Sequence, residues 1–318
     1  MRSVRVMRPT VFRLIAARDA ERVDRLICDE TGHGRRAVRT WLREGRVRIN
    51  GHVATAAQPV GAGSEIVIDP TGEAQGKVVS ENDDRAASDG LVAGLNADNL
   101  HVVFESEDIV VVAKPAGVHS ERGKSEPSLA GLLEQRYGDL SGIGDRAAEA
   151  GLVHRLDRDT SGVVVAARTR PVYRALRREF SRGATAKQYL ALVRGRLAAQ
   201  DIDLPLVQRG AHAAIAGPRD QGMDAFTSAR PLETGGDWTL VLAELITGAM
   251  HQVRCHLAAI GHPLFGDPLY GGDRLADSPR EGQLLHALRV RIGTGIDVTV
   301  GPPQDFLAAY AALRRRGR

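Results

Sequence analysis

His154-Arg155-Leu156-Asp157-Arg158-Asp159-Thr160-Ser161-Gly162 is the stretch on which the reading of this chain turns. It sets two carboxylates, two guanidiniums and one imidazole side by side and closes on a glycine. Charged side chains are seldom buried unless paired, so the run itself is a poor core. Its flanks are the opposite. Gly151-Leu152-Val153 before it and Gly162-Val163-Val164-Val165-Ala166-Ala167 after it read as buried strand. The pattern predicts a charged run held at the edge of a hydrophobic sheet, where a carboxylate beside an arginine is a candidate for chemistry. Two readings of the run stay open. In one, Arg155 and Arg158 neutralise Asp157 and Asp159 in a salt-bridged turn that Thr160, Ser161 and Gly162 shape. In the other, one aspartate is a nucleophile or base held ionised by a guanidinium partner.

Outward from this stretch, Val- and Ile-rich runs keep returning: Ile109-Val110-Val111-Val112, Val163-Val164-Val165, Leu190-Ala191-Leu192-Val193, Leu240-Val241-Leu242 and Val298-Thr299-Val300. Helical spacing falls between them, over residues 129–137, 173–180 and 251–260. Strands outnumber helices and do not alternate regularly with them. The fold class expected is α+β with a mixed, mostly antiparallel sheet, filling residues 99–318.

Residues 10–70 form a smaller α/β unit. Val23, Leu26 and Ile27 sit at helical spacing, Gly32-His33-Gly34 breaks the pattern, and residues 35–44 resume it with Val38, Trp41 and Leu42. Val47-Arg48-Ile49 alternates like a strand, Asn50-Gly51 is a hairpin turn signal, and Glu65-Ile66-Val67-Ile68 closes the unit. Arg35, Arg36, Arg39, Arg43, Arg46 and Arg48 crowd the second helix and its flanks, with Glu44 the one acid among them. A solvated helix face would account for some of this, but a single-sign patch points to phosphate contact with RNA or DNA. Residues 71–98 have no apolar period and read as a flexible linker.

The 318 residues have a formal net charge of +4, which suits a polyanionic partner. They are 43% hydrophobic but only 4% aromatic, so aliphatic packing must dominate the core. Two cysteines far apart, Cys28 and Cys255, argue against a disulfide framework and suit a cytoplasmic protein. No run approaches the roughly 18 apolar residues of a membrane span, and the Arg-rich start lacks the apolar stretch of a secretory signal. There is no phosphate-cradling loop, no Gly-x-Gly-x-x-Gly opening a strand–helix unit and no Gly-x-Ser-x-Gly elbow. Nucleotide hydrolysis, dinucleotide redox chemistry and serine hydrolysis therefore lack their usual signatures.

Four further segments carry candidate groups. Lys114-Pro115-Ala116-Gly117-Val118 follows a buried strand, as an ordinary exit turn would. Lys187-Gln188-Tyr189-Leu190-Ala191-Leu192-Val193 puts a tyrosine at the head of a strand, either as core or as a ring on which a base can stack. Thr247-Gly248-Ala249-Met250-His251-Gln252-Val253-Arg254 opens a helix that sets His251, Arg254 and Cys255 on adjacent faces, and the turn-rich residues 261–271 after it read as a rigid loop. A metal would need His251, His256 and His262; the first two are five residues apart, splayed on a helix, and no acid or cysteine completes the set, so no metal is expected. Leu284-Leu285-His286-Ala287 leads into the last core strand.

Taken in this order, "KPAGV", "HRLDRDTSG", "KQYLALVRG", "HQVRCHLAAIGHPLFGDPLYG" and "LLHA" resemble a pseudouridine synthase of the large-subunit ribosomal type, the RluA family, over residues 99–305. The segment ending in "GRVRING" is similar to the alpha-L RNA-binding domain of a small-subunit ribosomal protein, a common companion of that catalytic domain. The resemblance implies an enzyme that cuts a uridine at its glycosidic bond, turns the base and rejoins it through carbon-5. It implies that Asp157 is the essential carboxylate, acting on sugar or base; that Arg254 pairs with it; and that Tyr189 stacks on the uracil near the atom that loses a proton. His154, Arg155, Leu156, Leu285 and Lys114 would line the substrate site, Arg155 near the RNA as the base leaves its helix and Leu285 walling the pocket. No cofactor is implied. The partner is structured RNA, large-subunit ribosomal RNA ahead of transfer RNA because of the first domain, and the enzyme is expected to be a monomer with no membrane contact. A non-catalytic RNA-binding or ribosome-assembly factor on the same fold is the competing reading, opposed by the intact Asp157, Tyr189 and Arg254. The sequence departs from the resemblance at Ala249, where many relatives have Arg.

Overall fold

The computed structural model describes residues 12–15, 20, 22–31, 35–43, 46–49, 52–55, 58–61, 64–68 and 94–316, the last range without 124–126, 139, 141, 184, 246, 277 and 294–295. The chain divides into two units, residues 1–75 with 294–297, and residues 76–293 with 298–318. The expected linker, residues 71–98, falls mostly outside the described residues, as does the Asn50-Gly51 turn.

In the first unit the elements run β1 (Phe12–Ile15), α1 (Val23–Thr31), α2 (Arg35–Arg43), β2 (Val47–Ile49), β3 (His52–Val53) and β4 (Glu65–Ile68). The strands lie in the order β1-β4-β2-β3. Helical spacing brings Val23, Leu26 and Ile27 of α1 and Val38, Trp41 and Leu42 of α2 onto one core with Val47, Ile49, Ile66 and Ile68. That choice of face leaves Arg35, Arg39 and Arg43, four residues apart, as an exposed stripe along α2. Asp24 meets the stripe, 3.7 Å from Arg39. Arg48 is the exposed residue of β2 and Arg46 is half-buried. The side chain of Arg36 is outside the described residues.

The second unit runs β5 (Val102–Glu105), β6 (Ile109–Lys114), α3 (Leu129–Tyr137), β7 (Ser161–Ala167), α4 (Arg170–Ser181), β8 (Thr185–Arg194), β9 (Gln200–Asp203), β10 (Leu206–Arg209), β11 (His212–Ile215), β12 (Phe226–Thr234), β13 (Trp238–Leu245), α5 (Gln252–Ala259), β14 (Leu285–Ile292) and α6 (Gln304–Arg316); β15 (Ile296–Thr299) spans the boundary at residue 297. Its main sheet follows the path β5-β6-β7-β14-β8-β13-β12-β9. Only the β7–β14 pair along this path is parallel, so the sheet is mixed and mostly antiparallel, and the unit is α+β.

Alternation along β8 sets the layers. Ala191 and Val193 face one core with Val241, Ala243, Leu285 and the α5 residues Val253 and Leu257, and Tyr189 packs against it. Leu190 and Leu192 face the other core with Trp238, Phe265 and the α6 residues Phe306, Ala309, Ala312 and Leu313. Strand β7 is buried along its whole length between β6 and β14. The charged run therefore enters the end of a central strand, not the lateral edge of the sheet.

Gly162 makes that entry possible. Its φ of +124° is left-handed territory, and a Cβ there would fall 2.2 Å from the Ala287 carbonyl oxygen and 2.6 Å from the Ala287 nitrogen. Both atoms belong to β14, which cannot yield without parting from β7. Gly162→Ala is expected to destabilise the protein by about 3 kcal/mol or more, a loss to be read from denaturant unfolding.

Candidate active site

Three side chains, Lys114, Ser120 and Gln283, fix the loop that carries Asp157. Lys114, buried at the end of β6, donates to the carbonyls of Pro115 (2.9 Å), Val118 (2.7 Å) and Arg158 (2.9 Å). The Ser120 hydroxyl donates to the Leu156 carbonyl at 2.7 Å and accepts from the Leu156 N–H at 3.0 Å. Gln283 donates to the Thr160 hydroxyl at 3.1 Å. Behind the loop His286 bridges two segments of the fold. Its Nε2 lies 2.8 Å from the Val300 carbonyl, which can only accept, so Nδ1, 3.0 Å from the Ser161 hydroxyl, is the acceptor there. Burial pushes that imidazole down to about 4 and keeps it neutral.

Arg254 approaches from α5. Its Nε and Nη2 donate to the two oxygens of Asp267, at 2.7 and 2.8 Å, in a fork-to-fork pair that no solvent reaches on the Asp267 side. The remaining Nη1 donates to Asp157 Oδ2 at 2.8 Å. Burial works against the charge of Arg254, but Asp267 and Asp157 more than offset it, and its pKa is raised. Asp157 is thus gripped at one oxygen while its side chain stays 23% exposed. Near Oδ1 stands His251, with Nε2 3.5 Å away, beyond hydrogen-bonding length. Among the described residues Oδ1 accepts no hydrogen bond.

Tyr189 projects from the same face of β8 as Ala191, its phenol raised by burial and then by the Asp157 charge, so it stays protonated at neutral pH. Leu285 and Leu156 are buried. Asp157, Tyr189 and Arg254 are therefore brought together, with Leu285 in the core on which Tyr189 rests. Arg155 is exposed and pairs with Glu121 at 3.1 Å, and Arg158 lies 3.6 Å from Asp159. The salt-bridged turn accordingly holds for Arg158 and Asp159 but not for Asp157.

Two expected substrate contacts are corrected. Lys114 spends its N–H groups on carbonyls and holds the loop from behind, because a strand-end lysine whose tip meets three carbonyls is a strut. His154 turns toward the sheet: its Nε2 accepts from the Val165 N–H at 3.1 Å and its ring stacks on Phe180 at 5.4 Å between centroids. Burial, then the charges of Lys187 and Arg177, hold it neutral, at about 3. The helix expected from residue 251 begins at Gln252 instead. His251 caps it in the left-handed conformation, φ +53°, which swings the ring toward Asp157. Its Nδ1 lies 3.1 Å from the Tyr270 hydroxyl, itself tied to both the N–H and the carbonyl of Ala213. Sequence reasoning passed over Asp267 and Tyr270 as parts of a turn. The signal was an acid enclosed by Phe265, Gly266, Pro268 and Leu269, too apolar a setting for an unpaired carboxylate.

The chain is similar to known proteins along most of its length. A family profile described as RNA pseudouridylate synthase matches residues 108–259, and an S4 domain profile matches residues 21–66. The chain is 31% identical over 309 residues to the uncharacterized RNA pseudouridine synthase YlyB of Bacillus subtilis, covering 94% of this chain and 96% of that one. It is 30% identical over 304 residues to ribosomal large subunit pseudouridine synthase D of Pseudomonas aeruginosa, covering 89% and 88%. Among solved structures, human RNA pseudouridylate synthase domain containing 1 superposes with a TM-score of 0.53 at 29% identity, over 66% of this chain and 86% of that one. No helix among the described residues is long and apolar enough to cross a membrane.

Removing one partner of a buried ion pair leaves the other charge unmatched. Asp267→Asn should therefore cost about 3–5 kcal/mol in denaturant unfolding and lower kcat, because Arg254 loses the fork that aims Nη1.

Proposed function

The chain belongs to the RNA pseudouridine synthase family, and from that membership we propose that Asp157 is its catalytic carboxylate, acting on uridines of large-subunit ribosomal RNA. The relatives named for the ribosomal large subunit align with 89% and 93% of the chain, and this supports the ribosomal target. On the same reading the enzyme works in the cytoplasm as a monomer, with residues 10–70 binding RNA, 71–98 as the tether and 99–318 as the catalytic part.

The reaction breaks the N1–C1′ bond and forms a C5–C1′ bond; the C5 proton leaves and N1 gains one. Nothing is oxidised or reduced. The observation that carries the assignment is the asymmetry of Asp157. Oδ2 is held by Arg254, while Oδ1 accepts no hydrogen bond among the described residues and belongs to a partly exposed carboxylate. Such an oxygen is free to meet the sugar or the base, and its partner oxygen fixes the direction in which it points. Tyr189, protonated and leaning on Leu285's core, offers the ring face that keeps the detached uracil from escaping while it turns. Arg155, exposed beside the loop, stands where displaced RNA would pass.

Extruding a uridine from folded RNA costs a few kcal/mol. Phosphate contacts from Arg35, Arg39, Arg43, Arg46 and Arg48, with Arg36 beside them in sequence, supply binding free energy toward it.

Two measurements test these assignments. Asp157→Asn should lower pseudouridine formation by at least about a thousandfold while RNA affinity holds; retained turnover refutes the role. Replacing Arg35, Arg39 and Arg43 together with Ala should flatten the slope of log affinity against log salt by about two to three, with an unchanged slope ruling out phosphate contact by α2.

A further inference from the structure

Lys187 lies two residues before Tyr189 on β8, and the two side chains share one face of the strand. It is only 9% exposed, yet no carboxylate pairs with it and its ammonium makes no hydrogen bond among the described residues. The ammonium sits 5.6 Å from the centre of the Phe180 ring, and a Cβ added at Gly248 would come within 2.7 Å of it. Its charge also reaches the His154 imidazole, as does that of Arg177, whose Nη1 donates to the Val153 carbonyl at 3.1 Å.

These neighbours place the ammonium between two loops. One runs from Val153 and His154 to Asp157; the other runs from Thr247 and Gly248 to His251, where α5, which carries Arg254, begins. Burial pushes Lys187 down to about 8, so it is still charged at neutral pH; among the described residues no carboxylate offsets that burial, and the face of the Phe180 ring is the one attractive neighbour. A buried charge without a partner is costly, and proteins keep such groups where a ligand supplies the partner. Lys114 is the contrast in this same chain, a buried lysine with three carbonyl acceptors.

We propose that Lys187 is the phosphate-binding residue of the cleft, its ammonium taking a backbone phosphodiester of the extruded uridine or of the nucleotide next to it. The proposal rests on the reading that uridine enters beside Asp157. The spacing suits it: adjacent same-face positions on a strand are roughly 7 Å apart, about the reach from a base to its own backbone. Phe180 shields the ammonium from water on one side. Gly248, with no side chain to intervene, lets its backbone pack close against the ammonium, and the 9% of Lys187 that stays exposed is the way in for a phosphate.

The test uses the full chain with total RNA extracted from cells lacking it, so that the natural substrate is present unmodified. Wild type, Lys187→Met, Lys187→Arg and Asp157→Asn are compared for initial rate of pseudouridine formation across salt, for kcat and KM, and for thermal unfolding, with the modified position mapped. Lys187→Met should lose roughly tenfold or more in kcat/KM, chiefly through KM, and its log–log salt slope should be shallower by about one. Lys187→Arg should regain most of the loss. Lys187→Met should unfold at no lower temperature than wild type, since an unpaired buried charge has gone. An unchanged salt slope, or an arginine variant as deficient as the methionine one, overturns the assignment, and a lower unfolding temperature with an unchanged slope makes Lys187 a structural residue. A mapped site outside ribosomal RNA would refute the proposed target without touching Lys187, and an active Asp157→Asn would refute the carboxylate's role.

Discussion

Two carboxylates share one guanidinium at the centre of this protein, and they share it unequally. Asp267 is fully buried and takes two of the three nitrogens of Arg254; Asp157 takes the third from the open side. A buried ion pair of this kind adds little net stability, because desolvation consumes most of the Coulombic gain. What it adds is direction. With Nε and Nη2 fixed to a carboxylate that cannot move, the planar fork has no freedom left to rotate, and Nη1 points to one place. The loop that carries Asp157 is fastened with similar thoroughness by Lys114, Ser120 and Gln283, so donor and acceptor meet without either having to search.

The sheet explains why both halves of this contact can be rigid. Strand β7 is buried throughout and feeds the Asp157 loop, β14 lies parallel beside it, and α5 packs its Val253 and Leu257 on the core that Leu285 and Ala191 share. The opposite face of β8 is covered by α6 through Phe306 and Leu313. Arg254 and Tyr189 therefore sit on core elements, and the loop of Asp157 is fastened to them, so that the placement of all three is held by the core.

The reading from sequence succeeded where charge and hydrophobicity conflict and failed where the decisive variable is a dihedral angle or a distant partner. Asp157 stood out because it lies in a charged run between two apolar ones. Arg254 and Tyr189 were placed by resemblance to a family, and the structure brings them to Asp157. Strands β9 and β12 were missed because QDID and FTSARPLET carry acids, an arginine and a proline that blur the alternation; β9 pairs with β12 only over Phe226–Ala229, so Pro231 lies beyond that pairing. Helix α6 was legible in principle, since Phe306, Ala309, Ala312 and Leu313 recur at three and four residues. His251 could not be read correctly. Helical spacing puts it on the face beside Arg254, but a left-handed φ takes it off the helix altogether, and no local residue pattern announces that in a histidine.

That dihedral has a chemical consequence at Asp157. The Tyr270 hydroxyl has one proton and two acceptors near it, the Ala213 carbonyl at 3.0 Å and His251 Nδ1 at 3.1 Å. If the proton goes to His251, the neutral ring carries its own proton on Nε2 and would hydrogen-bond Asp157 Oδ1. If it goes to Ala213, the ring donates from Nδ1 to Tyr270 and turns a bare Nε2 toward the carboxylate, where two lone pairs keep apart. The 3.5 Å gap fits the second arrangement, which also lets Tyr270 satisfy both backbone groups of Ala213. Burial, the largest influence on His251, keeps the ring neutral against the pull of Asp157. The imidazole then walls off Oδ1 without capping it. Arg254 commits one oxygen of Asp157, and His251, by holding its proton on the far side, leaves the other oxygen uncommitted.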